Sequence, residues 1–250
     1  MYHSLSDCPL GLHPYYETTT SPPMFRQQLA QLHELGFRAV SVSEGMRLIE
    51  DGKDFEPCVA VSFDDGYRDV YTEALPALRE YGFTATVYVI AGKCKPDRTQ
   101  FKDRDCLTTD EISELHMNGI EIGSHTISHP QLHDLAWNEV EREVSESKKL
   151  IEDALGLSVV SFCYPFAFPE TDGKFVMRFR SLLRESGYSN AVTTVIGTVD
   201  SRSDRFSLPR LPVNNFDDKR LFQAKLEGGY DWLHIPQYLI KSLKRFAHAN

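Results

Sequence analysis

The chain has 250 residues, 41% of them hydrophobic, and a formal net charge of −9, enough apolar material for one barrel-sized α/β domain or two small ones and an acidic balance that argues against a general nucleic-acid partner. No apolar run is long enough to span a bilayer and the N-terminus shows no signal peptide, so a cytoplasmic protein is expected, with a processed exported form left open. The five cysteines, Cys8, Cys58, Cys94, Cys106 and Cys163, are odd in number and lack CxxC spacing, which fits a reduced compartment better than a disulfide framework; only Cys94 and Cys106 share a loop.

In chain order, Met1-Tyr2-His3-Ser4 reads as the stub of a first strand, and residues 5–20, with Pro9, Gly11 and Pro14, as a surface loop. Ser21-Pro22-Pro23 opens a helix with an N-cap and a first-turn proline, striped by Phe25, Leu29 and Leu32 and ended by Gly36. A strand over 37–42, a short helix over 43–51 and a Val-rich strand from Cys58 follow. Asp69 is expected to cap a helix that Pro76 bends. Residues 84–90 form the next strand. Thr108-Thr109-Asp110-Glu111 matches a capping box, and that helix closes at Gly119. A long helix runs from Asn138 to Leu155, its Glu and Lys read as a solvated face. Strands over 159–164 and 191–195 flank a further helix, 210–213 ends the last strand, and two helices finish the chain, the second near Pro236. Helices and strands thus alternate about seven times, which predicts a parallel sheet, open or closed. Length and repeat number favour a (β/α) barrel in a single domain, residues 1–250, with the chemistry at the C-terminal ends of the strands.

Two strand ends carry chemistry. Cys58-Val59-Ala60-Val61-Ser62-Phe63 runs into Asp64-Asp65-Gly66. Two acids at the mouth of a buried strand are costly unless a metal, a shared proton or a basic partner joins them, although Asp-Asp-Gly alone is equally good turn chemistry. Ile120-Glu121-Ile122 leads through a Gly-Ser break to His125 and His129, four apart. Imidazole and carboxylate together suit zinc and similar ions. An isolated His pair is more often surface; both pairs following apolar strands favours a site.

Ser62-Phe63-Asp64-Asp65-Gly66 and Ser124-His125-Thr126-Ile127-Ser128-His129 resemble the first two motifs of the polysaccharide deacetylases (NodB homology domain, carbohydrate esterase family four), over nearly the whole chain. The resemblance implies a distorted barrel with fewer than eight regular units, Asp64 as catalytic base, and Asp65, His125 and His129 as ligands of one divalent metal ion, most often zinc. The third motif of the family, Arg-x-Pro-Tyr, is replaced by Cys163-Tyr164-Pro165-Phe166, followed by Ala167. The arginine that orients the base is missing there, and Arg210, from Leu208-Pro209-Arg210-Leu211-Pro212, is the candidate to act from another strand. No convincing Leu-x-His motif supplies the general acid. His3 is the candidate, because Tyr2-His3 resembles the subgroup that deacetylates poly-β-1,6-N-acetylglucosamine; His234, His133 and water are the alternatives.

The reaction so implied is metal-dependent removal of N-acetyl groups from amino-sugar residues of a polysaccharide or glycan intermediate, with release of acetate. An O-acetyl carbohydrate esterase and a glycan-binding pseudo-enzyme are the alternatives. The expected partner is an N-acetylated glycan, with no nucleic acid. The loop from Ala91 to Cys106 is long for a compact domain and carries Lys93, Lys95, Arg98, Lys102 and Arg104; it reads as a solvated loop or as a contact for an anionic polymer or phosphate-bearing glycan carrier. Lys241, Lys244 and Arg245 beside Leu239, Ile240 and Leu243 read as an ordinary docked helix or a contact with a membrane surface.

Overall fold

A computed structural model describes residues 1–7, 17–52 and 57–248, with side chains up to residue 242; Cys8 lies outside these. β1 (Ser4–Leu5) and β2 (Thr19–Thr20) pair in parallel, so the segment read as a surface loop includes a strand, with Glu17, Thr19 and Thr20 buried. α1 (Pro22–Glu34) starts where Ser21 Oγ accepts from Met24 N and buries Phe25, Leu29 and Leu32. β3 (Arg38–Val40) and α2 (Val42–Asp51), capped by Ser41, follow. β4 (Cys58–Ala60) pairs with β3; one residue later the chain changes partner, and β5 (Ser62–Phe63) pairs with β6 (Thr86–Val89).

Pro76 sits inside a continuous helical run, 69–80. It lies in the first turn of α3 (Leu75–Glu80), behind a π-helical turn over Val70–Ala74, where the wide turn absorbs the hydrogen bond a proline cannot donate. Asp69 does not cap that turn; its Oδ2 accepts from Ser4 Oγ at 2.5 Å. Beyond β6, the long connection folds into a hairpin of β7 (Gln100–Phe101) and β8 (Arg104–Asp105). Cys94 and Cys106 are both free thiols. α4 (Thr109–Met117) has the reciprocal capping box of Thr108 and Glu111. There follow β9 (Glu121–Ser124), α5 (Trp137–Leu155), β10 (Ser161–Cys163), α6 (Gly173–Glu185), β11 (Asn190–Val192), α7 (Lys219–Leu226) and α8 (His234–His248).

The five central strands form one parallel sheet in the order β11-β10-β9-β6-β5. Its two edges are extended by single bridges, Tyr2 to Phe63 and Leu208 to Val192. These flanking segments then meet: Met1 N donates to Leu211 O at 3.0 Å, and Val213 N donates to Met1 O at 3.0 Å. The sheet is thus a curled half-barrel whose gap is spanned by irregular chain, a distorted (β/α) barrel of five strands and two bridged segments. The last segment is not a regular strand because Pro209 and Pro212 have no N–H to offer a ladder.

Gly123 is not a break but a strand residue. A Cβ there would collide with the Tyr88 ring, and the absent side chain lets that fully buried ring pack inside the barrel. The hydroxyl of Tyr88 shares a 2.7 Å hydrogen bond with Ser161 Oγ, which in turn donates to Asn190 Oδ1 at 2.6 Å. The apolar core lies between sheet and helices, around Phe63, Val87, Phe162 and Phe179. α8 docks through His234 and Lys241, which bond the two oxygens of Glu170 at 2.9 and 2.7 Å. Trp232, before it, and Ile235, Leu239 and Ile240 on it are exposed. No helix among the described residues is long and apolar enough to cross a membrane.

Candidate metal centre and base

The two acidic residues leave the barrel at the C-terminal end of β5 and turn opposite ways. Asp64 N donates to Tyr2 O at 3.0 Å, and the Asp64 carboxylate, 3% exposed, receives a two-pronged bond from Arg210: Nη1 to Oδ1 at 2.6 Å and Nη2 to Oδ2 at 2.7 Å. Arg210 is itself buried and aimed by its remaining donors, Nε to Thr193 O at 2.9 Å and Nη1 to Ser62 Oγ at 3.2 Å. Burial pushes the Asp64 carboxyl up, but the charge and fork of Arg210 outweigh it and hold Asp64 well below the usual carboxylate range. The candidate orienting arginine and the candidate base are therefore in direct contact.

Asp65 sits in the left-handed region at φ 69°, a conformation that costs a non-glycine residue about 1–2 kcal/mol. It points the carboxylate at the two histidines. Its Oδ1 lies 3.2 Å from His129 Nε2 and 3.6 Å from His125 Nε2. Thr126, His129 and Phe166 are also at positive φ, so the strained residues cluster around this point, as they do at functional sites. His125 Nδ1 lies 2.8 Å from Cys163 O, which fixes the ring and turns Nε2 inward. Burial lowers the His125 pKa to about 4, so the imidazole is neutral near pH 7, the form a metal needs.

These three side chains fit a divalent ion. Their ligand atoms lie within 4.8 Å of one another, and Asp65 Oδ1 is buried with no hydrogen-bond partner. Such an orphaned anionic oxygen is costly unless a cation meets it. A second trio, Asp64, His125 and Cys163, is equally close but fits poorly. Both Asp64 oxygens are held by Arg210, and burial keeps the Cys163 thiol neutral by raising its pKa well above the ordinary value.

His3 lies within the electrostatic reach of this group. Burial lowers its pKa, opposed by Asp64 and Asp65. The other two histidines weighed as acids face elsewhere: His133 Nε2 is 3.5 Å from Asp172, and His234 bonds Glu170.

Two sets of residues at the site are not evident from sequence reasoning. Glu143 of α5 is buried and accepts from Ile127 N at 2.8 Å, Ser128 N at 3.0 Å and Ser128 Oγ at 2.7 Å. It holds the turn between the two histidines, so not every acid of this helix belongs to a solvated face. The signal was its register: Glu143 falls in the buried stripe of Val140, Val144, Ser147 and Ile151. The other set is a pair of aromatic walls. His129 Nδ1 has no hydrogen-bond partner; its ring is packed instead between Phe101 and Phe166, with centroids 5.1 and 4.6 Å away. Phe101 comes from the basic loop, two of whose cations are already engaged. Arg98 bonds both oxygens of Glu111, and Arg104 donates to Ser4, Ser6 and Thr19.

Comparison with known proteins agrees with the geometry. Residues 51–190, over half of the chain, match the family model described as polysaccharide deacetylase. YxkH of Bacillus subtilis (strain 168), whose name assigns it to the polysaccharide deacetylases, is 30% identical over 91% of this chain and 75% of its own length. A poly-β-1,6-N-acetyl-D-glucosamine N-deacetylase of Staphylococcus aureus (strain N315) is 21% identical over 79% of this chain and 68% of its own. The fold is that of the Streptococcus pyogenes deacetylase PplD, solved in complex with acetate, with a TM-score of 0.75 at 23% identity over 90% of this chain and 96% of that one. A match that takes in the Asp64-Asp65 and His125–His129 motifs, on a shared barrel, leads to one conclusion: the chain belongs to the polysaccharide deacetylase family.

Proposed function

We propose that the protein is a metal-dependent hydrolase that removes N-acetyl groups from amino-sugar residues of a glycan and releases acetate. One observation carries this reading: two adjacent buried carboxylates have been given opposite partners. Asp64 is neutralised by Arg210, while Asp65 presents a free oxygen to two imidazole nitrogens. Asp65, His125 and His129 would hold the ion, and their mixed carboxylate and imidazole set suits zinc. When bound, the ion supplies Lewis acidity toward the acetamide oxygen and makes water more acidic.

The chain's own groups do the rest. Asp64 takes the proton of the attacking water. Arg210 keeps that carboxylate ionised and fixes both its oxygens, and so acts as a positioning residue. An amide nitrogen leaves only as the protonated amine, and His3 supplies that proton. The likeness to a protein named as an N-deacetylase favours the amide over the ester as the bond cleaved.

The test is acetate release from oligomers of β-1,6-linked N-acetylglucosamine and from O-acetylated xylan oligomers, measured separately. Release from the first, abolished by a chelator and restored by zinc, is expected. Release from the second alone would move the reading to an esterase, and release from neither would overturn it. His3→Ala should lower kcat by about 10²–10⁴-fold with bound metal unchanged; near-normal turnover would remove His3 from the role.

A further inference from the structure

Lys102 and Asp103 form the two-residue connection between β7 and β8, and both are left-handed, at φ 48° and 59°. Such a turn normally takes Asn-Gly, and a lysine there costs about 1–2 kcal/mol. Local stability therefore does not account for Lys102. Its surroundings do. The Nζ stands 3.9 Å from Asp65 Oδ2, 4.7 Å over the Phe101 ring and 5.7 Å from the Phe166 ring. These are the two rings that enclose His129. The side chain is 54% exposed, so the ammonium occupies the mouth of the site. It is held there: Arg104, two residues on, pins the hairpin to the hydroxyls of Ser6 and Thr19 at 3.3 and 3.1 Å.

Among the described residues, the charges at the mouth leave Lys102 short of a partner once the site is loaded. Asp64 is matched by Arg210. Asp65 is the acid facing Lys102, and a divalent ion on Asp65 consumes that charge. The ammonium then lies over an aromatic shelf at the mouth, open to an incoming anion. Phe166, 44% exposed, offers an apolar face to a sugar ring beside it.

Resting on the deacetylase reading, we propose that Lys102 selects glycans carrying an anionic group, a carboxylate or a phosphate, next to the acetamido sugar. The test is calorimetric binding at low salt to the zinc-loaded protein and its Lys102→Met and Lys102→Glu variants. The probes are chitotetraose, a hyaluronan tetrasaccharide and chitotetraose phosphorylated at C6. The wild type should bind one of the anionic probes at least 10-fold more tightly than chitotetraose, and the responding arm identifies carboxylate or phosphate. Lys102→Met should abolish that preference and Lys102→Glu should reverse it. Absence of a Lys102-dependent preference for either anionic probe overturns the proposal, even if chitotetraose releases acetate. If the preference holds while neither these probes nor the β-1,6-linked oligomers release acetate, the deacetylase reading fails and the anion site stands.

Discussion

The pair of Asp64 and Arg210 shows how much one long-range contact decides. A buried carboxylate would by itself be driven toward its neutral form. The forked guanidinium reverses this, so Asp64 is an anion throughout the range in which a hydrolase works. The sign of the pH dependence follows. A depressed folded pKa contributes stability above the unfolded value, near 4, and that contribution is lost as pH falls through the folded value. Arg210→Ala leaves the carboxylate buried and unpaired, which costs about 3–5 kcal/mol, and the acid limb of the pH–rate profile should move to higher pH. Arg210→Lys restores charge without the fork and should recover the acid limb more fully than kcat. An acid limb that does not move in Arg210→Ala would leave Arg210 a purely structural residue.

At the level of elements, the proposed metal ligands come from a strand end and a turn, and α5 keeps them in register. Glu143 satisfies two backbone N–H groups and a hydroxyl between His125 and His129. Glu143→Gln removes the charge and places an amide among donors. The expected loss is about 1.5–3 kcal/mol of stability and about 10–100-fold in zinc affinity, as for other groups that orient ligands. Chelator competition and thermal unfolding read the two effects separately. Unchanged zinc affinity alongside reduced stability would confine Glu143 to holding the helix. The β7–β8 hairpin acts differently, since it packs Phe101 on His129 where a hydrogen bond to Nδ1 would otherwise fix the ring.

For the whole molecule, the barrel gathers its site from both ends of the chain. His3 follows the Tyr2 bridge, Arg210 lies in the segment that spans the gap, and the central strands supply the rest. A ligand that binds only this assembled site stabilises the entire fold by mass action. At a free zinc concentration one hundred times the dissociation constant, the gain is about 2.7 kcal/mol, at about 2–4 °C of Tm per kcal/mol for a chain approaching this size. Scanning calorimetry of metal-free protein with added zinc should show that rise, and His125→Ala should remove most of it. An equal rise in the variant would place the metal elsewhere.

Much of this was legible in the sequence because it is encoded locally. Period, caps and turn residues gave the alternation of strands and helices, and the Thr108 and Glu111 capping box formed as read. Asp64-Asp65 and His125–His129 stood out because acids and imidazoles directly after apolar strands have few bland explanations. Arg210 was only a candidate: it lies 146 residues from Asp64, and no local pattern fixes which strand end meets which. The tertiary structure made that pairing. It also turned Glu143 from an apparent solvated acid into a buried acceptor, because the turn beneath it needed one. It made Gly123 a strand residue, because the Tyr88 ring fills the space a side chain would take. Backbone periodicity is a property of neighbours in sequence, whereas the partner of a buried charge is set by whatever the curled barrel brings within hydrogen-bond reach.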